Sequence, residues 1–313
     1  MNNIIRFWNQ NRRGIIAGIA AIVLLIVIIQ ALNQITKNQL KQNNIETLTE
    51  EEKKLPTKSI IGENSTSVEK TKDNVNIINE FVQKCNDGNL TAAYEMLTDD
   101  CKEVLFKTEE NFKKGYIDII FSTKRLINIE NFISEDKRYT YKVGFYDDIL
   151  STGNAQNFES YQDYITIDEN SKNGKLNINN LIYKKEINKE TEINGIKVTI
   201  ISQQIYKDNE KYEIKVENNT NKRISINSGK YKKSVYVVGS NNVTYNSNIS
   251  EIASILHEIP ANSYRTYTIK FNKIYSLGVE TKRVVFSDIV PDYEQYKQTP
   301  DKTEERIKIS VNL

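Results

Sequence analysis

The chain is short of the residues that build metal and thiol sites. Its 313 residues include one histidine, one tryptophan and two cysteines. A four-cysteine zinc site and a metal site with several histidines are therefore excluded. The 43 basic and 41 acidic residues leave a net charge of +2, which is too even for a nucleic-acid-binding protein. The short signatures of phosphate-binding loops, serine hydrolases, zinc peptidases and kinases are also missing, so no cofactor is expected.

One long apolar run stands near the N-terminus. Residues 14–32 read GIIAGIAAIVLLIVIIQAL and carry no charge. As a helix they span roughly 28 Å, which is close to the hydrocarbon thickness of a bilayer. We therefore predict an uncleaved transmembrane helix. Because Arg6, Arg12 and Arg13 precede it without an acid, residues 1–13 are predicted to be cytoplasmic and the remainder of the chain extracytoplasmic.

The residues after this run predict a spacer followed by helices. Residues 33–72 are polar and have no apolar period, which indicates a spacer. From residue 73, apolar residues recur at helical spacing as far as the stop signal Asn86-Asp87-Gly88. A second short helix is predicted over residues 92–97, and a third begins after Thr108, a candidate N-cap.

Strand patterns replace the helical ones farther along. Apolar residues alternate with polar ones from Tyr139 to Phe145, and Tyr161–Ile167 is also typical of a strand. Asn173-Gly174 indicates a hairpin turn, with Leu176–Tyr183 as the returning strand. Residues 73–189 thus read as three helices followed by antiparallel strands.

The segment FVQKCNDGNLTAAYEMLTDDCK, residues 81–102, resembles the opening of the nuclear-transport-factor-two-like superfamily. Bacterial members often have a first helix, a turn of Asn, Asp and Gly, and then an Ala-Ala-Tyr-x-x-Leu helix. The resemblance covers residues 73–189 and implies a cone-shaped α+β domain with a space between helices and sheet. Aromatic residues would line that space, as an open pocket or as filled core: Tyr94, Phe112, Tyr116, Phe121, Tyr141 and Phe145.

Residues 190–313 have an all-β pattern. Lys211–Glu217 alternates strictly, with Tyr212, Ile214 and Val216 on one face. Several short strands separated by Asn-rich turns predict a β-sandwich. This part looks like the immunoglobulin-like modules of bacterial envelope proteins.

A few residue types remain as candidates for chemistry. Cys85 and Cys101 are predicted either to form a disulfide or to be two buried apolar thiols. His257 has no other histidine to complete a site. The acids Asp147, Asp148, Asp163, Asp168 and Glu169 are expected to be solvated turn residues with ordinary pKa values. We therefore predict that no buried carboxylate is paired with a tyrosine.

The complete prediction is an α+β chain with a transmembrane helix, a cone domain and a β-sandwich. Its layout is similar to that of membrane assembly proteins of type IV secretion and conjugation machines, which act as scaffolds. We expect a non-enzymatic envelope protein that is anchored in the cell membrane and binds protein partners. Two alternatives remain: a surface-tethered hydrolase, isomerase or dehydratase, and a ligand sensor that acts through a partner.

Overall fold

The computed structural model describes residues 67–148, 160–229, 234–247, 257–275, 278–299 and 306–313. Strands make up 49% and helices 23% of the structure, and all neighbouring strands are antiparallel. The predicted fold class was therefore wrong, because the described chain is mainly antiparallel β-sheet. None of the helices in these residues is long and apolar enough to cross a membrane. The predicted transmembrane helix at 14–32 lies outside the described residues.

The helices are short and most begin with a side-chain cap. Ser67, Asn89, Thr98 and Thr108 each accept a hydrogen bond from the backbone N–H three residues on. This confirms Thr108 as an N-cap. The first helix ends at Asn86 as predicted, but it begins at Val68, within residues that were predicted to be a spacer. The helical segments are α1 Val68–Asn86, α2 Leu90–Glu95, α3 Asp99–Val104, α4 Glu109–Phe112, a π-helical turn Lys113–Ile117 and α5 Asp118–Ile120.

The first sheet packs one face against these helices. Its strands lie in the order β1 Arg125–Glu135, β2 Arg138–Asp147, β3 Ser160–Asp168 and β4 Leu176–Asn177. Strand β1 was not predicted, because its apolar residues do not alternate regularly. The pairing of β1 with β2 shifts register between Asn131 and Ile133, and this bulge breaks the period of two.

Two further four-stranded sheets share one apolar core. The first has the order β12 Ser263–Phe271, β7 Glu210–Asn218, β6 Ile196–Tyr206 and β5 Leu181–Ile193. The second has the order β10 Thr244–Asn246, β9 Val235–Gly239, β13 Thr281–Ile289 and β14 Ile307–Asn312. Inward residues of both sheets form one buried cluster, which is consistent with the predicted β-sandwich. Smaller elements are the pair β8 Ile224–Ser225 and β11 Glu258–Ile259, and the helix α6 Tyr293–Gln298.

Strand β5 connects the helix-bearing part of the structure to the sandwich. The strand predicted over residues 176–183 is instead broken by a turn in which Asn179 and Asn180 both have positive φ. β5 then continues through residues 189 and 190, where the sequence analysis places a domain boundary. Tyr206 of β6 belongs to the core beneath the helices. The described residues belong to one compact unit, and the boundary stays a prediction.

Candidate functional site

The six aromatic residues predicted to line a pocket contribute to the core between helices and sheet. Four are buried, and Tyr94 and Phe121 pack against them while partly exposed. The Phe112 and Tyr116 rings stack with centroids 5.9 Å apart, and Phe121 meets Phe145 edge-on at 5.5 Å. These contacts are typical of packed aromatic core. A pocket-lining role for these residues stays a prediction.

Both cysteines are buried free thiols in the structure. Burial raises the pKa of Cys101 to about 12 and raises that of Cys85 still further. Because the thiolate is the reactive form, neither side chain is primed for nucleophilic chemistry. Of the two predictions for this pair, the structure therefore agrees with two buried thiols and not with a disulfide.

Asp163 contradicts the prediction that no buried carboxylate is paired with a tyrosine. It lies on β3 and is only 2% exposed. The Tyr116 hydroxyl donates a hydrogen bond to its Oδ2 atom at 2.8 Å. Side chains alternate between the two faces of β3, so Asp163 lies on the same face as Ile165 and Ile167. This pattern in the sequence indicates that Asp163 is buried.

The carboxylate of Asp163 also accepts hydrogen bonds from the backbone of the chain. The backbone N–H groups of Asn179 and Asn180 donate to Oδ2 and Oδ1, each at 2.8 Å. Burial raises the pKa of Asp163, and these hydrogen bonds oppose the shift. The pKa of Tyr116 lies well above its ordinary value, because the ring is buried beside this carboxylate. Asp163 therefore ties the turn before β5 to the π-helical turn.

Two other acids predicted to be solvated are also buried. Asp147 forms an ion pair with Arg125, whose side chain is fully buried. Asp168 forms one with Arg138 at 3.1 Å. Their solvated-turn prediction was wrong, because each gains a basic partner that is distant along the chain. Asp148 is half-buried, and the exposed Glu169 pairs with Lys70.

A buried polar cluster in the sandwich was not predicted from the sequence. Glu210 at the start of β7 is 1% exposed and contacts the ammonium group of Lys273. Gln203, Tyr212 and Thr281 all donate hydrogen bonds to its Oε2 atom. His257 lies outside this cluster, and no group of acids, histidines or cysteines in the described residues is suited to hold a metal ion.

A recess lies on the face of the first sheet opposite the helices. Its volume is about 170 Å³. The registers of β1, β2 and β3 place Asn128, Gly144 and Gln162 side by side across it. The neighbouring row contains Glu130 and Lys142, which form an ion pair at 3.3 Å. We name this concavity the outer-face recess.

Gly144 leaves room for the Tyr146 side chain in the outer-face recess. A Cβ atom at this position would lie 2.6 Å from the Tyr146 hydroxyl, which is closer than side chains can approach. The absence of a side chain therefore lets the Tyr146 ring lie across β2. The lining combines two amides, an ion pair, two phenols and a serine hydroxyl, all of which recognise ligands by hydrogen bonds.

A second recess, of about 340 Å³, lies at the turns after β1 and β3. It is lined by charged and hydroxyl side chains: Lys137, Asp168, Glu169, Ser171 and Lys175. Asp168 and Glu169 are already paired with Arg138 and Lys70. The two carboxylates of this recess therefore already form ion pairs within the chain.

Comparison with known proteins identifies no family. No family model matches the chain, and no curated protein matches it. A conserved hypothetical protein from Bacillus anthracis, known from a 2.2 Å crystal structure, is 15% identical. The match covers 32% of this chain and 88% of that chain, with a TM-score of 0.25, and carries no argument about fold or function.

Proposed function

We propose that the chain is a binding or scaffold module of a bacterial envelope and that it contacts its partner through the outer-face recess. The observation that carries this proposal is the set of polar side chains that converge there, on the sheet face away from the helices. By contrast, the buried carboxylates of Asp147, Asp163 and Asp168 are bound by groups of the chain itself. The envelope location rests on the apolar residues 14–32 of the sequence.

The chemistry of the recess favours a polar partner surface. Asn128 on β1 and Gln162 on β3 offer amide donors and acceptors on either side of β2. Glu130 and Lys142 add one charge of each sign, so that a partner with strong charge of either sign meets a repelling group. An extended peptide with polar side chains matches this mixture of donors and acceptors.

In-cell photocrosslinking tests the proposal. A photoreactive residue is placed in the full-length chain at position 128 or 162, and at exposed Thr268 on β12 as a control. We expect an adduct of one defined mass from the recess positions and none from Thr268. The adduct should disappear with Lys142→Glu, which reverses a charge in the recess. Equal labelling at all positions, or no adduct from the recess, would contradict the proposal.

The Asp163–Tyr116 pair favours a second candidate function, a hydrolase, isomerase or dehydratase. A carboxylate with a raised pKa next to a phenol is a pattern of general acid–base catalysis. Its two oxygens already accept hydrogen bonds from the backbone of Asn179 and Asn180, which supports a structural role instead. In the crosslinking assay, Asp163→Asn should keep the recess adduct if the binding function is correct.

A further inference from the structure

The sandwich brings an amine and a carboxylate into contact in its interior. Glu210 begins β7, and Lys273 follows the end of β12, where Phe271 pairs with Glu210. The Lys273 Nζ atom contacts Oε1 of Glu210. Both side chains are nearly inaccessible to solvent, at 5% exposure for Lys273 and 2% for Glu210. Two opposite charges are thus held together where water does not stabilise them.

The other carboxylate oxygen is surrounded by donors. Oε2 of Glu210 accepts hydrogen bonds from the Tyr212 hydroxyl at 2.8 Å, the Thr281 hydroxyl at 2.9 Å and the Gln203 amide at 3.1 Å. The pKa of Tyr212 lies well above its ordinary value because of burial and the nearby Glu210, so the phenol stays a donor. Donors fixed on one oxygen draw electron density from the carboxyl carbon and stabilise charge that develops on that oxygen.

The same donors suit an amide oxygen equally well. A buried ion pair keeps two desolvated charges, whereas an amide between the same two residues is neutral. Its carbonyl oxygen would keep the hydrogen bonds from Gln203, Tyr212 and Thr281. The site is therefore complementary to the condensed product as well as to the charged pair.

We propose that Glu210 and Lys273 condense to form an intramolecular amide crosslink. A proton first moves from Nζ of Lys273 to Oε1 of Glu210, which gives a neutral amine and a carboxylic acid. The nitrogen lone pair then forms a bond to the carboxyl carbon, and the bond from that carbon to Oε1 breaks. Oε1 leaves as water with this proton and one more from the nitrogen, while Oε2 becomes the amide oxygen. No oxidant or other reactant is required.

The mass of the purified full-length chain under denaturing conditions tests the crosslink. We expect it to be smaller than the mass calculated from the sequence by one water molecule. After proteolysis, the peptide containing Glu210 and the peptide containing Lys273 should appear as one branched species. A mass equal to that of the sequence, with the two peptides recovered separately, would overturn the proposal.

Two variants distinguish the crosslink from other reactions that release water. The Asp87-Gly88 sequence is able to lose water by forming a succinimide, which gives the same mass change. Lys273→Met removes the amine and should restore the calculated mass, whereas Lys270→Met on β12 should keep the loss. A loss of water that persists in Lys273→Met would overturn the proposal. The branched peptide of the wild-type protein gives a result that does not depend on how either variant folds.

Discussion

At Asp163, one carboxylate holds two segments that are far apart in the sequence. Replacement by asparagine leaves one acceptor oxygen, and its NH2 group would face backbone N–H donors from Asn179 or Asn180. We expect Asp163→Asn to lower the free energy of unfolding by about 1–3 kcal/mol. Urea unfolding of the wild type and the variant measures this, with exposed Asp118→Asn as a control that should change little.

The same substitution has an expected pH dependence. Burial raises the folded-state pKa of Asp163 above its ordinary value of 3.8. Protonated Asp163 therefore stabilises the folded state fully below its ordinary pKa of 3.8. This stabilisation is lost as the pH rises through the higher folded-state pKa. Asp163→Asn lacks this loss, so the stability advantage of the wild type should shrink across that range. An advantage that grows with pH would show that the charged carboxylate is the favoured form.

Gly174 closes the turn between β3 and β4 against a backbone carbonyl. Its φ is +64°, and a Cβ atom would lie 2.0 Å from the Leu97 oxygen. Gly88 has φ +71° with open space around it, so Gly88→Ala measures the conformational penalty alone, about 1–2 kcal/mol. We expect Gly174→Ala to cost clearly more, with a lower midpoint of thermal unfolding. Equal effects would mean that the turn moves away from Leu97 freely.

At the scale of elements, Arg125 joins the end of the helical region to the first sheet. Its guanidinium group donates to the Ile120 carbonyl of α5 and forms the buried ion pair with Asp147 of β2. Arg125→Met removes this partner of the Asp147 charge. We expect it to lower the free energy of unfolding by about 3–5 kcal/mol. Lys114→Met removes an exposed ion pair with Glu110 and should cause no measurable change.

The double variant Arg125→Met, Asp147→Leu identifies the source of that cost. Part of the penalty of the single variant comes from the buried Asp147 carboxylate that has lost its arginine partner, so removing both charges should recover part of the stability. Chemical unfolding of the three proteins under one set of conditions gives the comparison. If the double variant is as unstable as Arg125→Met, lost packing rather than the remaining charge is responsible.

At the scale of the whole molecule, β5 connects two hydrophobic cores. Its pairing with β6 extends from Leu181 to Ile193, and Tyr206 at the end of β6 packs beneath the helices. The Tyr275 hydroxyl also donates to Glu135, which links the end of β1 to the sandwich side. We expect residues 67–313 to unfold in one cooperative transition, as measured by calorimetry. Two separated transitions would support independent domains that meet near residue 189.

Local signals in the sequence were sufficient for many of the elements. The alternation of Lys211–Glu217 places β7 within one or two residues, and the stop signal at Asn86-Asp87-Gly88 ends α1 correctly. These succeed because period, capping and turn chemistry act over a few neighbouring residues. Strand β1 was missed, since its bulge is visible only against its partner strand.

The sequence by itself therefore determined the Thr108 cap, the end of α1 and the inward face of β7, because each depends on neighbours along the chain. Only the tertiary structure decided which carboxylates are buried and what binds them. Tyr116 and Asp163 are 47 residues apart, and Glu210 and Lys273 are 63 apart. The period of two in β3 puts Asp163 on an apolar face, but the partners of both acids come from distant segments and meet them only when strands and helices pack together.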